Sequence, residues 1–313
     1  MNLQTRAEHG VPSSNDTIRI QIGDICCSFV CHNTDVLGNL KQLFHGFLST
    51  RQPDTIVVLE DSYKQLNLED TEAAMAEAKY IHEGNKFYTH NHLIKGEHDD
   101  TGRVIRFTSE RHLLNPNSEQ NVLNHLLSIS YYTACRAKYD GKPPAMLVHA
   151  SGIVHNNRSF IFSGPCDIGK SSIARMCADP YGQVVNDEIL LVSRPGPDNN
   201  GISLISTPHL GDLKPEANIT APLACGLLLK QGHQTLIRRL DNMEAYVRFM
   251  RQVITPAYIG QTDRKATHSL IADFSKDIIE AVPFYELEFT LNRQELWTVL
   301  DKLEESLITR SAK

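Results

Sequence analysis

Gly164-Pro-Cys-Asp-Ile-Gly-Lys-Ser171 (GPCDIGKS) has the spacing G-x-x-x-x-G-K-S, and its flanks decide how it is read. Upstream lies an apolar, strand-like run, Ser159-Phe160-Ile161-Phe162; downstream lies a helix-like run from Ser172 to Ala178. In a strand–loop–helix setting the octet reads as a phosphate-binding loop. Successive backbone N–H groups surround phosphate oxygens, and the positive end of the helix adds to the attraction. The candidate nucleotide-binding residues are therefore Gly164, Pro165, Cys166, Asp167, Ile168, Gly169, Lys170, Ser171 and Ser172. Lys170 is placed to reach the terminal phosphates and the Ser171 hydroxyl to sit on Mg²⁺. This predicts a chain that handles a nucleoside triphosphate or a similar phosphate donor, with ATP and Mg²⁺ as the expected cofactors, although such a loop reads phosphates and not the base.

Phosphoryl transfer needs more than a phosphate loop: it needs metal ligands and a group that positions the acceptor. Asp187 and Glu188 lie about seventeen residues past Lys170, between two apolar runs. One carboxylate can hold Mg²⁺ with Ser171 while its neighbour takes a proton from an attacking hydroxyl. Adjacent residues on a regular strand point to opposite faces, so both serve one site only if the backbone is irregular there. An acidic turn at a strand end is the plainer alternative; charge interrupting apolar runs favours the site. His149 interrupts another apolar run, Met146-Leu-Val-His-Ala, and reads as either a site residue or a hydrogen-bonded core histidine. Thr207-Pro-His-Leu-Gly-Asp212 has turn chemistry, so His209 and Asp212 either shape an acceptor pocket or belong to a connecting loop. Arg238, Arg239, Arg248 and Arg251 are cations that could spread phosphate charge or face solvent.

Further out, the polar turn His155-Asn-Asn-Arg158 joins the His149 run to the strand entering the loop, a hairpin feeding the phosphate site. Thr17 to about Leu59 predicts two strands about a Gly-Asp turn, a helix capped by Thr34 or Asp35 with Val36, Leu40, Phe44 and Phe47 on one face, and a strand at Thr55–Leu59. Residues 60–115 suggest a short helix near Thr71–Tyr80 and strands near Lys86–His90 and Arg103–Thr108. A long helix is expected over about Ser118–Lys138, from Val122, Leu126, Ile129 and Thr133. Asp140-Gly-Lys-Pro-Pro144 stops it and sets the domain boundary: a disordered leader over 1–16, an N-terminal α+β domain over 17–140 and a domain carrying the phosphate loop and the C-terminal helices over 141–313. Beyond the acidic pair the pattern predicts a hairpin with its tip at Pro195–Gly201 and a strand at Leu223–Leu229. Helices follow at about Asp241–Val253 and Thr267–Ala281, then a strand at Phe284–Phe289 and a last helix capped by Asn292.

Length and composition fit a folded chain of about two domains: 313 residues, 41% hydrophobic and 22% charged. A net charge of −6 argues against nucleic acid or an anionic membrane as the main partner. The start lacks a secretory pattern, and no apolar run reaches the length of a membrane span. Seven cysteines without framework spacing fit a reducing compartment, so the expectation is a cytoplasmic protein. Cys26, Cys27 and Cys31 beside His32 read as buried thiols rather than a metal site, and His90, His92, His98, Asp99 and Asp100 as a solvated loop.

The histidine-bearing strand Val148-His149-Ala150, the hairpin into GPCDIGKS, the short helix and Val184-Val185-Asn186-Asp187-Glu188 together resemble the HPr kinase/phosphorylase and phosphoenolpyruvate carboxykinase-like P-loop kinases over about residues 145–260. Thr207-Pro-His-Leu-Gly with Ala221-Pro222-Leu223 is more similar to the HPr-kinase-like proteins of peptide-modifying clusters, including lasso-peptide kinases, which phosphorylate a serine on a precursor peptide. The resemblance implies an α/β fold: a phosphoenolpyruvate carboxykinase-like P-loop core with a mixed sheet, plus a smaller α+β N-terminal domain. It implies an ATP/Mg²⁺-dependent kinase acting on a hydroxyl, serine first, of a peptide, protein or small molecule, and a homo-oligomer. By the match to the family's V-A-D-D stretch, Asp187 is the base and Glu188 assists the metal with Ser171, while His149 matches the strand histidine. Two departures stand out: Cys166-Asp167 replaces the family's Ser-Gly pair, and the later arginine signature of true HPr kinases is missing. The alternatives are a carboxykinase-like phosphotransferase on a small carboxylic substrate and a non-catalytic nucleotide- or phosphate-sensing module.

Overall fold

The computed structural model describes residues 17–61, 80–83, 85–89, 94–99, 101, 103–109, 119–139, 142–178, 182–194, 201–213, 218–254 and 264–311. Two mixed sheets and six α-helices make up these residues. The first sheet begins with a hairpin, β1 (Thr17–Ile22) and β2 (Ile25–Val30), turned at Gly23 with φ +58°. Along β1, Ile18, Ile20 and Ile22 alternate inward, the period-two pattern of a strand with one buried face. Helix α1 (Thr34–Leu43) is capped by Asn33, one residue before the positions expected from sequence: its Oδ1 accepts from Asp35 N (3.0 Å) and Val36 N (3.2 Å). A 3₁₀ turn over His45–Phe47 follows.

β3 (Thr55–Asp61) pairs parallel with β2 and with β7 (Val104–Ser109). β6 (Ile94–His98), β5 (Lys86–Thr89) and β4 (Tyr80–Glu83) extend the sheet antiparallel, in the order β1-β2-β3-β7-β6-β5-β4. Of the helix expected over Thr71–Tyr80 only Tyr80 is described, and it starts β4. The leader, most of the 195–201 tip, His90, His92 and Asp100 also lie outside the described residues. His98 closes β6, and the Asp99 carboxylate holds the next turn by accepting from Arg103 N (2.8 Å) and Val104 N (3.1 Å). Cys26, Cys27 and Cys31 are buried and form no disulfide among the described residues, and burial pushes the Cys27 thiol well up, as an apolar setting for a thiol should.

Helix α2 (Glu119–Tyr139) links the two sheets. It packs on β2 and β3, while its Tyr131 hydroxyl donates to Ala145 O (2.7 Å) and its Tyr132 hydroxyl accepts from Leu147 N (3.0 Å) in the second sheet. Buried aromatics of this size each contribute about 2–3 kcal/mol, and here the hydroxyls also meet partners. One apolar cluster therefore runs without a break from Ile20 and Phe29 through Leu126, Ile129 and Cys135 to Leu147 and Leu190.

The second sheet centres on β8 (Ala145–His155), whose first half pairs with β11 (Ile189–Ser193) and β15 (Val253–Ile254). Its second half pairs with β10 (Gln183–Asn186) and β9 (Arg158–Ser163). β9 also runs parallel to β13 (Thr220–Gln231), which is flanked by β12 (Ser203–Ile205) and β16 (Phe284–Phe289), with β14 (Leu236–Arg239) on the edge. A second apolar cluster lies between β9, β13 and β16 and two helices, α3 (Lys170–Cys177) and α6 (Arg293–Ser311). Trp297 of α6 closes it, donating from Nε1 to Met176 O at 3.2 Å. Helices α4 (Asn242–Met250) and α5 (Arg264–Ala281) complete the chain; the helix expected to reach Val253 ends at Met250, because Val253 pairs with Val148 in β15. Among the described residues no helix is long and apolar enough to cross a membrane.

Candidate active site

The β8–β9 hairpin delivers the chain to the GPCDIGKS loop. Its tip, Asn156-Asn157, has φ +48° and +60°, a type I′ geometry that asparagine tolerates and that matches the twist of paired strands. From Ser163 the chain enters the loop, and Gly169 (φ +107°) turns it into α3. A Cβ at Gly169 would stand 2.9 Å from the Phe289 ring, so both conformation and space require glycine there. Asp167 is also left-handed, φ +59°, and exposed. Asp is among the few non-glycine residues that accept this region, which gives a backbone reason for its presence in the loop.

Lys170 is 7% exposed, and its ammonium donates to Gly164 O (3.3 Å) and Pro165 O (3.0 Å). Burial lowers its pKa, with Cys166, Glu188 and Asp167 pulling the other way. Behind it Ser151, fully buried on β8, donates to Lys170 O at 3.1 Å and pins the start of the helix.

Asp187 and Glu188 occupy a bend between β10 and β11, with a register shift between Val184 and Asn186. This is the irregularity that lets two adjacent carboxylates approach one site. Asp187 is completely buried: Oδ1 accepts from Leu213 N (3.1 Å), and Oδ2 makes no hydrogen bond among the described residues. Burial raises its pKa, while the Leu213 amide and the neighbouring Ser171 hydroxyl lower it. Glu188 keeps a side chain 40% exposed, with its Oε1 3.8 Å from His149 Nε2. Burial raises its pKa too; Lys170 opposes the rise and Asp187 adds to it. His149 is pushed down to about 4 by burial and by Lys170, so at neutral pH its contact with Glu188 is polar rather than ionic.

The structure thus brings Lys170, Ser171, Asp187, Glu188 and His149 together. Ser171 neighbours Asp187, and Glu188 faces Lys170 and His149. Gly211 makes the room, since a Cβ there would meet Asp187 Oδ1 at 2.2 Å and Glu188 Cβ at 2.9 Å. Asp212 pairs with Arg175 of α3 at 3.0 Å beside the acidic bend. Arg238 and Arg248 are engaged elsewhere, by Glu244 and Glu286. Ser151, Asn186 and Gly211 went unselected in the sequence, although an apolar run ending Asn-Asp-Glu carries the signal of an Asx turn.

No family model and no curated protein matches the sequence. Among solved structures the chain is similar to the HPr(Ser) kinase/phosphatase from Coxiella burnetii. The identity is 12%, the match covers 52% of this chain and 98% of that one, and the TM-score is 0.29. A score of that size marks a distant structural relationship only.

Proposed function

We propose that this chain is an ATP- and Mg²⁺-dependent phosphotransferase that moves the γ-phosphoryl group to a hydroxyl, serine first, of a peptide, protein or small molecule. The observation that carries the reading is the buried Asp187 carboxylate, which has the Ser171 hydroxyl as a neighbour and an Oδ2 with no hydrogen bond among the described residues; Ser171 itself follows the buried loop lysine. A carboxylate oxygen without a donor costs stability unless something else satisfies it. With the Ser171 hydroxyl it forms a set of hard oxygen ligands of the kind that fits Mg²⁺ alongside phosphate oxygens. When bound, Mg²⁺ supplies neutralisation of the phosphate charge.

The protein's own groups then divide the work. Loop amides and the Lys170 ammonium hold the phosphate oxygens and the charge that develops on the transferred group. Glu188, accessible and with a raised pKa, accepts the proton of the acceptor hydroxyl. The hydroxyl oxygen forms its bond to the γ-phosphorus as the bond to the bridging oxygen breaks, and ADP leaves with the electron pair. Neutral His149 stands 3.8 Å from Glu188, beyond direct hydrogen-bond distance, and borders the site. This gives Asp187 to the metal and Glu188 to the proton, the reverse of the roles implied by the V-A-D-D match.

Calorimetry with ATP, ADP and pyrophosphate, with and without Mg²⁺, tests the reading. Lys170→Ala is expected to weaken all three by about one to two orders of magnitude, the worth of a charge-assisted hydrogen bond. Binding unchanged in Lys170→Ala contradicts the phosphate site itself. Tight binding without transfer to any hydroxyl favours a sensing module.

A further inference from the structure

We infer that Asn186 is the positioning residue for the acidic pair, and that helix α2, from the N-terminal half, holds Asn186 in place through a buried polar relay. The inference rests on the reading of Asp187 and Glu188 given above. Asn186 is fully buried, and both ends of its side chain are committed. Its Oδ1 accepts from Glu188 N (2.7 Å) and Ile189 N (3.1 Å); its Nδ2 donates to Thr207 O (3.1 Å) and His209 O (2.8 Å). The first two bonds wind an Asx turn around Asp187 and Glu188, replacing the ladder contacts that a regular strand would offer. The second two fasten this turn to the loop that carries Gly211.

That loop is fastened in turn to α2. Asn124 pairs with the Leu210 backbone in both directions, Nδ2 to O and N to Oδ1, each at 2.7 Å. Ser128, one helical turn further along the same face, lies 3.0 Å from His209 Nε2. The other contacts fix the protons. The Thr207 hydroxyl donates to Ile189 O (2.6 Å), so its oxygen accepts from His209 Nδ1–H (2.9 Å), which leaves Nε2 to accept from Ser128. The relay therefore has one consistent direction, and all its side chains are buried. Such outer partners of metal ligands set ligand orientation and carry part of the metal affinity.

Mn²⁺ standing in for Mg²⁺, titrated against the full chain with ADP and followed by electron paramagnetic resonance, tests this. Asn186→Ala is expected to weaken Mn²⁺ binding in the ADP complex about 10–100-fold while metal-free ADP binding stays as in wild type. Asn186→Asp, which keeps the acceptor half of the side chain, should recover part of the loss. Ser128→Ala, a milder change on α2, should shift Mn²⁺ affinity the same way and settles the matter if Asn186→Ala does not fold. Wild-type Mn²⁺ affinity in folded Asn186→Ala, or in Ser128→Ala if that variant alone folds, overturns the inference. So does an equal loss of metal-free ADP binding. A wild-type chain that binds ADP with no contribution from Mn²⁺ instead overturns the underlying reading of the site.

Discussion

A methyl group at Gly211 would lie 2.2 Å from Asp187 Oδ1, so the acidic bend and the loop across from it have no slack between them. Gly211→Ala is expected to cost about 1–3 kcal/mol in thermal or urea unfolding, the usual range for overpacking. It should also reduce phosphoryl transfer more than it reduces ATP binding, because the displaced atoms belong to the carboxylate pair and not to the loop. The pH–rate profile makes a second demand on single residues. Burial and Asp187 raise Glu188 above its ordinary 4.5, so transfer should fall as pH drops through that raised value, where Glu188 becomes protonated and can no longer accept. The limb should vanish in Glu188→Gln; a limb that persists assigns the base elsewhere. Lys170, Ser171 and the two acids were legible in sequence because their spacing is a chemical pattern. Asn186, Gly211 and Ser151 were not, since what they do depends on which backbone comes to lie against them.

Elements were legible where local chemistry dictates them. The hairpin into the phosphate loop follows from Asn156-Asn157, and β16 from the alternation in Phe284-Tyr-Glu-Leu-Glu-Phe289, where Leu287 and Phe289 are buried between the half-buried Glu286 and Glu288. Short strands escaped: β15 has two residues and exists because β8 offers an edge at Leu147 and Val148, while β14 holds its place through cross-strand contacts with β16. Partners far along the chain leave no periodic signal in the strand itself. Caps are readable in principle, and α1 illustrates the limit of one residue: Asn33, Thr34 and Asp35 are all good caps, and only geometry selects Asn33. Asn33→Ala should therefore cost about 1 kcal/mol in unfolding, and Thr34→Ala much less. Equal losses from the two would contradict the cap assignment.

At the scale of the whole molecule, one continuous apolar cluster and the α2 relay tie the first sheet to the acidic bend. The sequence marks a break near Pro144 but is silent on how the flanking parts engage, since Asn124 and Ser128 look like ordinary polar residues of a helix. Burial makes His209 a reporter on this joint. Its pKa is lowered to about 3, against an ordinary 6.5, so as pH falls below 6.5 the unfolded chain takes up a proton that the folded chain refuses. The contribution to stability is intact above pH 6.5 and is lost toward pH 3 at about 1.4 kcal/mol per unit. His149, lowered to about 4, acts with the same sign; Asp187 and Glu188, both raised, act with the opposite sign above their ordinary values of 3.8 and 4.5. Comparing unfolding of wild type and His209→Gln between pH 7 and 5 isolates the His209 slope, which should be shallower in the variant. The central claim is tested most directly by incubating the chain with γ-labelled ATP, Mg²⁺ and an array of serine-containing peptides. The account predicts label on serine hydroxyls, absent in Lys170→Ala and lowered about 10²–10⁴-fold in Glu188→Gln. ATP bound tightly with no label on any hydroxyl, or label that is indifferent to Glu188→Gln, would contradict it.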